Sequence, residues 1–226
     1  MTDQTADVHA VLDRTYDAFL FDMDGTLINS IAVVERVWRE WAVIQGLDVD
    51  DFMRRLHGVR AIDVIRRENL PGVDAEEQAE IILQQELDDV DGIVEIAGAV
   101  DFLRLLPSDR WAIVTSAPRA LAVKRMAAAG IPTPDVLICG EDVVNGKPDP
   151  EGYDKAARML GFSPENCVVF EDAPAGILAG QTLRAGVVVV TETHELPLAG
   201  DEFSTRDYRG ITVAVTPAGD LRLRRR

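Results

Sequence analysis

Two acids two residues apart open the chemistry of this chain: Asp22 and Asp24, in the run Phe21–Leu27 that reads FDMDGTL. In an extended chain, residues two apart point to the same side. Both carboxylates can therefore face one spot just past the apolar run Ala18–Phe21. If that run is a buried strand, the spot lies where open α/β sheets bind their ligands. Gly25 permits a sharp turn, and Thr26 offers a hydroxyl and a backbone N–H to an anion. A plain acidic surface turn would use the same residues. A calcium loop would not, because Gly25 comes too early and Val33 stands where the bidentate Glu belongs.

Three further groups have the same ambiguity. Thr115 and Ser116 end the run WAIVTS; hydroxyls there can bond a phosphate oxygen or cap the following helix. Lys147 lies between Gly146 and Pro148. A lysine held in such a turn can neutralise charge gathering between phosphate and carboxylate, although lysines are usually solvated. The run is not a nucleotide P-loop, since Pro148 replaces the Ser or Thr. Glu171 and Asp172 end the apolar run VVF. Two adjacent acids there are costly to desolvate unless something positive meets them. A hard, oxygen-seeking cation such as Mg²⁺ is a natural partner; capping of the next helix is the other reading.

Positioning these groups requires a sheet. Short runs, apolar on both faces, recur at 18–21, 111–115, 136–139, 167–170 and 187–190. That pattern belongs to strands buried in a parallel sheet. Helical patterns alternate with the later runs: 119–129 after Pro118, 151–160 before Gly161, and 175–183 after Pro174. The reading is a doubly wound α/β core. The stretch from Ile31 to Val94 breaks the alternation. It carries helical periodicity at 31–45, 61–68 and 75–90, with a further helix expected over 97–106, and is too long for one crossover. It reads as a helical insert, with 1–30 and 95–226 forming the core and 31–94 a small second domain.

Composition bounds the partners. Of the 226 residues, 47% are hydrophobic, and the formal net charge is −16. That field repels nucleic acid and anionic membranes. It would repel a phosphorylated substrate too, so a phosphate site must be locally positive or carry a metal. Cys139 and Cys167 sit in apolar runs and read as buried free thiols in a reducing compartment. The leading MTDQTADVHAVLDRTYD has no apolar core for an export signal, and no apolar run approaches a membrane span. A cytoplasmic monomer is expected, with the terminal Arg222, Arg224, Arg225 and Arg226 as a frayed basic tail.

Taken together and in this order, Asp22-x-Asp24-Gly25-Thr26, Thr115, Lys147 and Glu171-Asp172 resemble the four motifs of the haloacid dehalogenase superfamily. The insert resembles its helical cap. The stretches LHGVRAIDVIRR, WAIVTSAP, NGKPDPEGY and VVFEDAPAGI resemble the branch of 2-deoxyglucose-6-phosphate and glycerol-3-phosphate phosphatases. The likeness runs from about Asp17 to Val190.

The resemblance implies a Mg²⁺-dependent phosphatase acting on a small sugar or polyol phosphate. Asp22 would be the nucleophile, and Asp24 the acid that protonates the leaving alcohol and then activates water. Mg²⁺ would be held by Asp22, the Asp24 carbonyl, Glu171 and Asp172. Thr115 and Lys147 would orient and neutralise the transferring group, with Thr26 and Ser116 as further substrate contacts. His57 and Arg60 would lie on a loop reaching over the site, although a surface helix start fits them equally. Trp38 and Trp41, at helical spacing, read as core of the cap. A phosphomutase of the β-phosphoglucomutase type is the alternative within the fold. It is disfavoured because Ser30–Trp38 contains no histidine. A non-catalytic sugar-phosphate binder is the alternative outside enzymes. Asn29-Ser30 replaces the superfamily's usual Asp-Ser.

Overall fold

The computed structural model describes residues 10–193 and 203–226. Residues 1–9, which begin the segment read above for an export signal, lie outside that range. Six parallel strands form the central sheet in the spatial order Val136–Ile138, Trp111–Val114, Ala18–Phe21, Cys167–Glu171, Gly186–Val190, Phe203–Thr205. This is the doubly wound α/β architecture expected. The direction of winding reverses between Ala18–Phe21 and Cys167–Glu171. At such a switch point the flanking loops diverge and leave a crevice beyond the strand ends. Phe21 pairs with Phe170, so Asp22 and Glu171 emerge side by side at that crevice.

Each central strand is buried on both faces, which its unbroken apolar sequence requires. Phe19 and Phe21 point to one side, packing with Phe102, Phe170 and Tyr208. The Phe21 and Phe170 rings stack with centroids 4.6 Å apart. Ala18 and Leu20 point to the other side, against Tyr153, Ala156 and Ala157. Truncating a buried ring such as Phe170 to alanine would cost roughly 3–5 kcal/mol. The strands that carry the acids are therefore rigid supports.

The intervening stretch is helical: Ile31–Ile44, Val49–Arg54, Ala61–Glu68 and Ala75–Asp88. The Val49–Arg54 helix had no counterpart in the periodicity, being only six residues long. These helices bury a cluster of their own, with Trp38, Trp41, Phe52, Leu56, Val64 and Ile82 among its members. Trp38 and Trp41 meet edge to face and both pack on Phe52, so they are core residues.

The basic terminus is not frayed. Leu221–Arg225 pairs antiparallel with Ile211–Val215. Leu221 and Leu223 are fully buried while Arg222 and Arg224 are exposed. The period-two alternation of Leu and Arg is a strand signal that the charge run obscured. Phe203–Thr205 likewise adds a sixth strand beyond the five expected. Among the described residues, no helix is long and apolar enough to cross a membrane. Both cysteines are buried and free.

Candidate active site

Asp22 follows directly on its strand and is held by its backbone N–H, which donates to the Phe170 carbonyl at 2.9 Å. Its carboxylate is nearly buried, at 4% exposure. Lys147 Nζ donates to Asp22 Oδ1 at 2.5 Å, to Glu171 Oε1 at 2.6 Å and to the Val114 carbonyl at 3.1 Å. One buried ammonium thus joins the ends of three neighbouring strands. Tyr153 supports it from below, with its ring 5.0 Å from Nζ and its hydroxyl donating to Glu171 Oε1 at 2.8 Å.

Electrostatics follow from this burial. Desolvation, reinforced by the Glu171 carboxylate, holds the Asp22 carboxyl well above its ordinary range despite Lys147. Desolvation disfavours the Lys147 ammonium, but Asp22 and Glu171 outweigh it and raise its pKa. Burial and the nearby Glu171 charge keep Tyr153 neutral as a donor. Asp22, Glu171 and Asp172 bring carboxylate oxygens within 4.8 Å of one another, against the single charge of Lys147. An all-oxygen donor set with excess negative charge suits a hard divalent cation.

The three acids are not equivalent toward such an ion. Glu171 Oε1 accepts from Lys147 and Tyr153, and Oε2 accepts from the backbone N–H groups of Asp172 and Ala173, both at 3.0 Å. A carboxylate has about four lone-pair sites, and protein donors take all of those of Glu171. Asp172 faces the opening beside Asp22. The turn at Gly25, with φ +89°, brings the backbone so close to Asp172 that any Cβ there would overlap its carboxylate. At Gly176 a Cβ would overlap Glu171 Oε1 in the same way. Both glycines are dictated by the acids they face.

Asp24 is tethered rather than buried. Its Oδ1 accepts from Ser30 Oγ at 2.6 Å and from Arg125 Nη1 at 3.0 Å. Arg125, on the helix Arg119–Ala129, also lies 3.0 Å from Glu86 of the Ala75–Asp88 helix. Thr115 is buried, and its hydroxyl oxygen accepts from the Ala117 N–H at 3.1 Å. That bond leaves its O–H to donate.

The remaining expected contacts fall in different places. Asp22, Asp24, Thr115, Ser116, His57 and Asp172 line one cleft, which Trp38, Glu86 and Arg125 also wall. Thr26 is fully buried off that wall, its hydroxyl donating to Asp172 Oδ1 at 3.3 Å. It supports Asp172 and does not face a substrate. Ser116 Oγ donates to the Gly58 carbonyl at 3.0 Å, tying the core to the 56–60 loop. Arg60 lines a separate small cavity beside Gly146 and Lys147. Its guanidinium donates to Asp63 at 2.6 Å and to the Gly140 and Val143 carbonyls at 3.4 and 3.3 Å. Arg60 thus fastens the loop to the core instead of reaching the cleft.

Arg125, Glu86, Tyr153 and Ser30 were not singled out from sequence. A signal existed for two of them. Arg125 occupies the same buried stripe as Leu121, Ala122 and Met126, and Glu86 follows Ile82 by one turn. A charge in phase with an apolar stripe must find a partner inside.

The comparisons agree with this geometry. The haloacid dehalogenase-like hydrolase family model matches residues 16–183. Hexitol phosphatase A of Escherichia coli is 36% identical over 208 residues, covering 90% of this chain and 96% of that protein. The 2-deoxyglucose-6-phosphate phosphatase 1 of Saccharomyces cerevisiae is 32% identical, covering 87% of this chain and 90% of its own. Among solved structures, a HAD hydrolase of family IA, variant 3, from Entamoeba histolytica superposes with a TM-score of 0.72 at 25% identity, covering 85% of this chain and 94% of its own. With the family's motif acids gathered at the switch point of its fold, the chain belongs to the haloacid dehalogenase-like hydrolases.

Proposed function

We propose that this protein is a Mg²⁺-dependent phosphatase that releases phosphate from a small sugar or polyol phosphate through an aspartyl-phosphate on Asp22. The carrying observation is the Asp22–Lys147–Glu171 cluster beside Asp172, at the sheet's switch point. The names of the relatives support the substrate class.

In this reading Asp22 attacks phosphorus, and the P–O bond to the alcohol breaks. Asp24, oriented by Ser30 and Arg125, protonates the departing oxygen and then takes a proton from the water that hydrolyses the acyl phosphate. Lys147 and the Thr115 hydroxyl orient and neutralise the phosphoryl oxygens. Asp22, Asp172 and the Asp24 carbonyl would hold Mg²⁺, with Glu171 contributing charge and the anchoring of Lys147. When bound, the ion offsets repulsion between carboxylate and phosphate.

The helices of 31–94 act as a cap over a core formed by 1–30 and 95–226, fastened by the Ser116–Gly58 and Arg60 contacts. The same reading has the protein act as a cytoplasmic monomer with neither nucleic acid nor membrane as partner. Its net charge of −16 supports those two exclusions.

The test is release of inorganic phosphate from a panel of sugar and polyol phosphates with Mg²⁺, for the unmodified protein and Asp22→Asn. Free phosphate is expected from the former and a loss of at least ~10³-fold in the variant. Isomerised phosphate esters without free phosphate would indicate a mutase instead, and retained turnover in Asp22→Asn would remove the nucleophile assignment.

A further inference from the structure

Arg125 and Glu86 are both nearly buried, at 3% and 6% exposure. Arg125 comes from the helix Arg119–Ala129 and Glu86 from Ala75–Asp88, within the 31–94 stretch. Arg125 Nη1 donates to Asp24 Oδ1 at 3.0 Å, and Nη2 lies 3.0 Å from Glu86 Oε1. Nε has no hydrogen-bond partner among the described residues. Two carboxylates therefore fix the guanidinium, and one of them is the reacting acid. Glu86 is held in turn by Trp38 Nε1, which donates to the same Oε1 at 3.3 Å. Beside this pair, Lys124 Nζ donates to the Leu87 carbonyl in the last turn of Ala75–Asp88. A cation there meets the negative end of the helix, so two successive residues of one helix grip the end of the other.

The chain Trp38–Glu86–Arg125 ends on one oxygen of Asp24. Oδ1 accepts from both Arg125 Nη1 and Ser30 Oγ, the latter at 2.6 Å. Two donors aimed at Oδ1 keep it an acceptor, which leaves Oδ2 as the oxygen to carry the proton into the cleft. A guanidinium ordinarily favours bidentate pairing with a carboxylate, one N–H to each oxygen. Such a fork would cover Oδ2. Here Glu86 engages Nη2, and Arg125 meets Asp24 through Nη1 alone.

We propose that Glu86 is a positioning residue for the proton transfer at Asp24: by holding Arg125 Nη2 it keeps Arg125 on Oδ1 and leaves Oδ2 to protonate the departing alcohol. This rests on the phosphatase reading and adds to it a residue that acts on the acid only through Arg125. Without the Glu86 carboxylate, Nη2 turns to Oδ2 and both oxygens of Asp24 accept N–H bonds. Because Glu86 lies on Ala75–Asp88, the geometry of the acid depends on how that helix sits against Arg119–Ala129.

The experiment compares two leaving groups. The substrates are the most active polyol phosphate of the panel, whose alkoxide needs a proton to depart, and acetyl phosphate, whose acetate departs without one. The readout is the ratio of their kcat/KM values. These cover the steps up to phosphoryl transfer, and a general loss of folded enzyme or of phosphate binding cancels in the ratio. Acid catalysis contributes about 10²–10⁴-fold. Ser30 still bonds Oδ1 in Glu86→Gln, so that variant should lose part of this, lowering the polyol-to-acetyl ratio about tenfold. Asp24→Asn should lower it further. Adding Glu86→Gln to Asp24→Asn should change it by about twofold or less, because Glu86 acts through that acid alone. A ratio unchanged in Glu86→Gln, or a tenfold effect that persists without Asp24, overturns the positioning role and leaves the phosphatase reading intact. Should Glu86→Gln fail to fold, Glu86→Asp, whose shorter side chain withdraws the carboxylate from Nη2, is read in its place by the same criteria. Absence of phosphate release from every substrate overturns the phosphatase reading and the role of Glu86 with it.

Discussion

Lys147 Nζ lies 2.5 Å from Asp22 Oδ1 and 2.6 Å from Glu171 Oε1, all three groups being buried. One cation is thus shared between a carboxylate whose sites are otherwise filled by protein donors and one that is open to the cleft. Burial still holds Asp22 above its ordinary pKa, so three clustered carboxylates against one ammonium leave the site short of positive charge. Three predictions rest on that imbalance and its supports, and a fourth on the buried thiols.

Replacing Lys147 with methionine leaves Asp22 and Glu171 facing each other without their shared cation. Removing one partner of a buried ion pair costs roughly 3–5 kcal/mol, and kcat/KM should fall by about 10²–10³-fold. The raised Lys147 pKa means its contribution is complete below the unfolded value, about 10.4, and disappears only as pH rises through the folded value. Denaturant unfolding of both proteins should therefore show a stability gap that persists from neutral pH to about pH 10 and closes above it.

Asp22 has the opposite consequence. Its folded pKa is raised, so its ionised form costs stability at neutral pH, and that cost fades as pH falls. Without metal, Asp22→Asn should melt higher than the unmodified protein, even though it is inactive. Mg²⁺ at about 100 times its Kd should stabilise the unmodified protein by about 2.7 kcal/mol, or roughly 5–10 °C for a chain this size. Asp172→Asn should lose most of that rise. A metal-induced shift that survives both substitutions would place the ion elsewhere.

Gly176 lies in the helix Pro174–Thr182, where alanine ordinarily gains about 1 kcal/mol over glycine. Here the added Cβ would overlap Glu171 Oε1 and push away the anchor of Lys147 and Tyr153. Gly176→Ala should lower the melting temperature and reduce kcat by about 10²-fold or more. A stabilised, active variant would show that the Glu171 arrangement is not needed.

Burial pushes the thiols of Cys139 and Cys167 up to about 12. Because the thiolate is the reactive form, neither should react with a disulfide reagent at about pH 8 in the native state. Both should react once the protein is denatured, read as released chromophore.

Much of this was legible in the sequence because its signals are local. Apolar runs bounded by turns mark strands buried on both faces, and the acids at the ends of 18–21 and 167–171 mark where those strands open to a cleft. Asp22, Lys147, Glu171 and Asp172 could be nominated from type and spacing. The convergence of the three acids needed only the rule that parallel strands align their carboxyl ends, whereas Lys147 reaches them from a turn beyond Val136–Ile138 that only the fold places. The terminal hairpin was misjudged because a run of arginines outweighed the alternating leucines between them.

What the residue order determined alone is the α/β fold class, the family motifs and the excess of negative charge that a phosphate site must overcome. Only the tertiary structure decided which side chains share one cleft. Arg60 and Thr26 carry suitable groups, but Arg60 bonds Asp63, Gly140 and Val143 beside a separate cavity, and the Thr26 hydroxyl bonds Asp172. Arg125 and Glu86, 39 positions apart, instead became neighbours beside Asp24. Hydrogen-bond partners are chosen by distance and direction, and across separate helices neither can be read from spacing along the chain.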